Sequence, residues 1–158
     1  MAKFGLQQEI EQSKPFSSRE TEAFLNLQRT EAVLSESAEE VLRREGLTLT
    51  LYNVLRILRG SKEPLPCSTV SRRMLTRVPD LTRIVDRLVK KGYVRRVRSK
   101  RDRRVVLLSP TAKGLAVMDA VDGPLEEAIR TGMSNLSQSE LRTLIGLLEK
   151  ARSGGGSG

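Results

Sequence analysis

Apolar residues recur at helical spacing through most of the chain and give way to a strand-like pattern only once, between positions 93 and 108. Residues 1–16 are polar, interrupted by Pro15, and expected to be flexible. Ser17 and Ser18, followed by Glu20 and Glu22, mark a helix start, with a hydroxyl cap ahead of acids in the opening turn. The helix runs over 17–46 with a narrow stripe of Phe24, Leu27, Leu34, Val41 and Leu42, and Gly46 ends it. A helix of that length with so thin a stripe needs a partner surface. Dimerisation is the favoured use, and lying across its own domain is the alternative.

A second helix, capped by Thr48 or Thr50 and stopped by Gly60, carries Leu51, Val54, Leu55 and Leu58. A short extended piece follows at Leu65 to Cys67. Ser68 then opens a third helix expected to bury Val70, Met74 and Leu75. Pro79 stands at the first turn of a fourth helix, Asp80 to Lys91, with Leu81, Ile84, Val85 and Leu88 at i, i+3, i+4 and i+7. Arg83, Arg87 and Lys90 take another face, and Thr82 lies near the exposed leading end. Gly92 ends this helix. A hairpin comes next: Tyr93, Val94 and Val97, a charged tip at Ser99 to Arg103, and a return from Val105 to Leu108.

Three short helices and a hairpin predict a winged helix-turn-helix over 47–110, in a mainly α chain with a small β hairpin. Helices over 111–152 would join the N-terminal helix in a second layer. In that region Leu115, Met118, Val121, Leu125, Ile129 and Met133 form one broken stripe, which Gly123-Pro124 should bend or interrupt. Ser137 and Glu140 form a capping-box pair ahead of Leu141, Leu144, Ile145 and Leu148. The stretch 153–158, SGGGSG, has flexible-linker composition and reads as an expression remnant.

Charge changes this picture most. Between Arg72 and Arg104 stand fourteen Lys/Arg against three Asp, a local charge of +11, whereas the whole chain nets +9. The remainder is therefore slightly acidic. One concentrated basic device on such a body is the footprint of a polyanion binder. The absence of histidine and the single cysteine, Cys67, remove zinc sites and histidine acid–base chemistry. No Gly-rich phosphate loop is present either, so neither an enzyme nor a cofactor is expected. One cysteine excludes an internal disulfide and suits a reducing compartment. No apolar run approaches the ~20 residues of a spanning helix, and no signal-peptide core opens the chain, so a cytoplasmic location without membrane contact is expected.

The segments LTLTLYNVLRIL, LPCSTVSRRM, VPDLTRIVDRLVKKGYVRR and RDRRVVLLSPTAKG, in this order and spacing, resemble the MarR family of bacterial transcription regulators. The resemblance covers Leu47 to Gly114. It implies a homodimer with interleaved terminal helices and two winged helices that meet double-stranded DNA. Asp80 to Lys91 would be the recognition helix in the major groove, with Pro79, Asp80, Thr82 and Arg83 nearest bases and phosphates and Arg77 and Arg87 completing its contacts. Arg83 either reads a guanine or holds a phosphate. Asp80 either caps the helix or accepts from a cytosine. In the wing, Asp102 would orient the hairpin and Arg104 would enter the minor groove, with Arg103 as added charge.

The resemblance also implies a small aromatic or anionic effector, for which Tyr52, Arg29 and Arg56 are candidate lining residues. Each of the three also fits the edge of the core or an ion pair. Cys67 is either a small apolar filler or a thiol sensitised by a helix N-terminus. The function expected is a ligand-responsive repressor on a pseudo-palindromic operator. The competing readings are a winged-helix module for an acidic protein or RNA and a nonspecific architectural binder.

Overall fold

The computed structural model describes residues 5–102 and 104–154. Seven helices and a three-stranded antiparallel sheet follow one another in it. Helix α1 is one turn, Leu6–Glu9, with Leu6 buried where the sequence suggested a flexible end. The pair between Glu9 Oε1 and Arg29 Nε, at 2.6 Å, ties that turn to α2, Arg19–Arg44. Ser18 caps α2 by accepting from Thr21 N–H at 3.1 Å. Gly46, at φ +65°, supplies the left-handed step that turns the chain out of the helix.

Helix α3, Leu49–Arg59, is capped by Thr48, which accepts from Leu51 N–H at 3.3 Å. Strand β1, Leu65–Pro66, leads into α4, Cys67–Arg73, then α5, Leu81–Lys90. Two further strands, β2 (Val94–Arg98) and β3 (Val106–Pro110), form the wing. The strand order is β1-β3-β2, with Leu65 opposite Leu108 and Val97 opposite Leu107. Helix α4 begins at Cys67, one residue before the expected Ser68, because Pro66 occupies the cap position. It also ends early. Met74 is extended (ψ 141°), so Leu75 leaves the helical stripe and is 79% exposed instead of buried.

Helices α6 (Ala112–Gly132) and α7 (Gln138–Ser153) complete the chain. Pro124 lies inside α6 without interrupting it. Val117, Met118 and Val121 before the proline and Leu125 after it are all buried, and this packing carries the helix through the missing amide. Thr111 caps α6 and donates its hydroxyl to Gly92 O at 2.6 Å. A Cβ on Gly114 would lie 2.1 Å from Tyr93 O, so only glycine lets α6 cross the start of β2 this closely.

The core joins Leu51, Val54, Leu55 and Leu58 of α3 with Val70, Leu81, Val85, Leu88, Val94 and Leu108. Met118, Val121 and Leu125 of α6 and Leu42 of α2 extend it. Each such side chain taken from water contributes about 1.5–3 kcal/mol. This core seats α5 and the wing as one unit. Helix α7 differs, since none of its residues is buried.

Candidate nucleic-acid interface

The leading end of α5 is built around Asp80. Its Oδ1 accepts from Arg83 N–H at 3.2 Å, closing the first turn, and its Oδ2 lies 4.0 Å from Arg83 Nε. The geometry thus gives Asp80 the capping role. The Arg83 side chain is 84% exposed above this cap. Arg77, Pro79 and Thr82 are exposed around the same end, and Arg87 is exposed one turn further along. Leu81, Val85 and Leu88 hold the opposite face of α5 in the core. The basic face is fixed outward by what lies beneath it.

The wing is organised by hydrogen bonds to short side chains. Ser99 Oγ accepts from the amides of Arg101 and Asp102 at 3.2 and 3.3 Å, and Asp102 Oδ1 accepts from Arg104 N–H at 2.9 Å. Asp102 therefore shapes the turn that presents the exposed Arg104. Arg103 lies outside the described residues. Arg95 and Arg98 of β2 are also exposed.

Asp86, on the middle of α5, forms a close ion pair with Arg96 of β2. It ties α5 to the wing and withdraws Arg96 from the cations free to meet a polyanion. Sequence reading passed over this pair. The signal was present in Asp86, the one carboxylate inside the basic run of α5. Cys67 is half-buried at the start of α4. Burial pushes its thiol pKa up, against the opposing influence of Arg96, so its surroundings favour the inert thiol.

Away from this face, the exit of α3 meets α6. Arg59 Nη1 and Nη2 lie 2.6 and 3.2 Å from the two carboxylate oxygens of Asp122, and the Tyr52 hydroxyl donates to Asp122 Oδ1 at 3.2 Å. Asp119 stands 3.7 Å from Arg59. Burial, then Asp122, raises the Tyr52 phenol pKa, and the hydrogen bond to Asp122 raises that of Arg59. A cavity of about 280 Å³ opens beside the joint, lined by Tyr52, Asp122, Leu125, Glu126 and Ile129. Of the three residues expected at an effector pocket only Tyr52 lines it. Arg29 pairs with Glu9, and Arg56 donates to Asn53 at 2.9 Å.

Among the described residues no group of histidine, cysteine and carboxylates could hold a metal, and no helix is long and apolar enough to cross a membrane. The MarR family model matches residues 47–106. The homoprotocatechuate degradative operon repressor of Escherichia coli is 28% identical, over 78% of this chain and 82% of that one. The crystal structure of a MarR transcription factor from Planctomyces limnophilus is 33% identical, with TM-score 0.65 over 85% of this chain and 98% of that one. A mutant MarR from E. coli, complexed with operator DNA, superposes with TM-score 0.79 at 23% identity, over 87% and 99% of the two chains. With the capped basic helix, the wing and these likenesses together, the chain belongs to the MarR family of winged-helix, DNA-binding transcriptional regulators.

Proposed function

We propose that the chain is a homodimeric, ligand-responsive repressor that binds a pseudo-palindromic operator, with α5 in the major groove and the wing tip in the neighbouring minor groove. The observation that carries the DNA contact is the capped leading end of α5, which projects Arg83 almost fully into solvent above a buried apolar face. Helices enter the major groove by this end. Arg77, Pro79, Thr82 and Arg87 frame Arg83, while Asp80 holds the turn. In the wing Asp102 sets the position of Arg104, and Arg103 adds charge.

The dimer is supported by α7, which buries nothing in the protomer and exposes Ile145 and Leu147, and by Phe24, Leu27 and Val33 exposed along α2. Pairing of two copies would cover these faces. Repression is supported by the likeness to the E. coli operon repressor. The effector reading, for a small aromatic or anionic compound, is supported by the cavity beside Tyr52, where an aromatic body would meet Leu125 and Ile129.

The test is to select duplexes from random DNA and measure binding by fluorescence anisotropy across salt, with the mass of the complex read by ultracentrifugation. The expected result is a two-fold symmetric site with half-site centres about one helical turn, ~10 bp, apart. Two protomers should occupy each duplex, and affinity should fall steeply with salt. Equal affinity for scrambled duplexes would overturn it in favour of a nonspecific binder.

A further inference from the structure

Beyond the start of α6, where Thr111 and Gly114 fasten it to Gly92 and Tyr93, two kinds of contact join α6 to α3, and they differ in what they can fix. Met118, Val121 and Leu125 of α6 are buried against the core, but apolar burial has no preferred direction and tolerates sliding and rotation. The Arg59–Asp122 fork is different. It pairs two nitrogens with two oxygens at 2.6 and 3.2 Å, a two-point contact that restricts orientation as well as separation. The Tyr52 hydroxyl adds a third hydrogen bond to the same carboxylate, about two turns earlier on α3. Arg59 is the last residue of α3, which packs against α5 and β3. Asp122 lies on α6, whose principal neighbour is α2. It directly precedes Gly123-Pro124, where α6 lacks one amide donor and is least stiff by itself.

We propose that Tyr52, Arg59 and Asp122 are positioning residues that set the operator half-site spacing the dimer accepts. The inference rests on the dimeric operator-binding reading above. Changing the spacing by one base pair moves a half-site by about 3.4 Å along the duplex and turns it by about 35°. A winged helix following that step must pivot on α6. The apolar contacts allow some of this, whereas hydrogen bonds of 2.6–3.2 Å do not survive it. The intact joint therefore makes the protein a ruler for one spacing, and a broken joint leaves a tolerant dimer. Tyr52 and Asp122 also line the cavity, so an effector bound there would touch two of the three residues of the joint.

The experiment uses the full chain on synthetic operators whose half-site spacing is varied by one and two base pairs either way, together with a duplex carrying a single half-site. Wild type, Asp122→Asn, Arg59→Gln, Arg59→Lys and Tyr52→Phe are compared. Wild type should show one sharp optimum. Asp122→Asn and Arg59→Gln should lose about tenfold in affinity at the optimum yet little at neighbouring spacings, flattening the profile. Arg59→Lys, which keeps the charge without the fork, should fall between them and wild type, and Tyr52→Phe should flatten it least. Affinity for the single half-site should stay at the wild-type value, a result that general unfolding of the winged helix would not give. An unchanged optimum and sharpness in Asp122→Asn and Arg59→Gln would overturn the proposal. So would equal losses at every spacing and on the single half-site. A wild type with no spacing preference, or acting as a monomer, would instead overturn the operator reading itself.

Discussion

Asp80 and Arg83 show how one residue's structural duty frees its neighbour for another. The Asp80 carboxylate is held by a backbone amide through one oxygen, and its other oxygen makes only a loose, exposed pair at 4.0 Å with the guanidinium three residues on. Asp80→Ala removes the cap and should cost about 1 kcal/mol of stability, whereas Asp80→Asn should cost much less; urea unfolding measures both. On DNA the two exposed arginines should separate. Arg83→Ala is expected to lose about 1–3 kcal/mol and to relax preference at one base pair per half-site. Arg104→Ala should weaken binding to all operator variants to a similar degree. A competition assay over every single-base operator variant distinguishes these patterns. The residues that sequence reading placed well are those with a local cause, such as caps before helices or glycine where φ is positive. Leu75 was misplaced because apolar spacing cannot show that the chain turns extended at Met74. Asp86–Arg96 and Arg59–Asp122 escaped because their partners are brought together only by the fold.

At the scale of elements, the capping box of α7 was legible from Ser137 and Glu140 alone, and both of its hydrogen bonds are made. The Ser137 hydroxyl and amide hold the Glu140 pKa below the usual carboxylate range. Its folded value being depressed, the cap's contribution is present above the unfolded pKa and is lost as pH falls through the folded one. Amide exchange at Ser137 should therefore accelerate as pH is lowered below about 4, relative to the intrinsic rate. In Glu140→Gln that pH dependence should vanish. Helix α6 teaches the complementary lesson. Gly123-Pro124 predicts a bend or an interruption, and the interruption does not occur: buried residues on both sides keep the helix continuous. Local propensity lost to burial there, and no single-chain pattern reveals the surface against which α6 packs.

For the whole molecule the division was readable from charge: a basic winged helix carried on slightly acidic helices. What composition could not supply is how little the base holds itself together. An isolated helix the length of α7 is marginal in water, and within the protomer it has no buried side chain to anchor it. Folding of this end should therefore be linked to association. The midpoint of thermal unfolding should rise with protein concentration, and Ile145→Asp should abolish that rise while leaving the winged-helix core folded. Calorimetry over a hundredfold range of concentration is the check. A constant midpoint for wild type would mean that α7 finds its stability without a second copy.

The strand order has one more consequence. Strand β2 is one of the two outer strands of the sheet and the longer of them, and its outward edge carries backbone groups that another strand could pair with. Arg95, Arg96 and Arg98 lie along it. With Arg96 paired to Asp86, Arg95 and Arg98 still repel an identical edge from another molecule, so charge on the basic face also guards against intermolecular strand addition. Neutralising these arginines to weaken DNA binding would remove that guard, and such variants should aggregate more readily when no nucleic acid covers the wing.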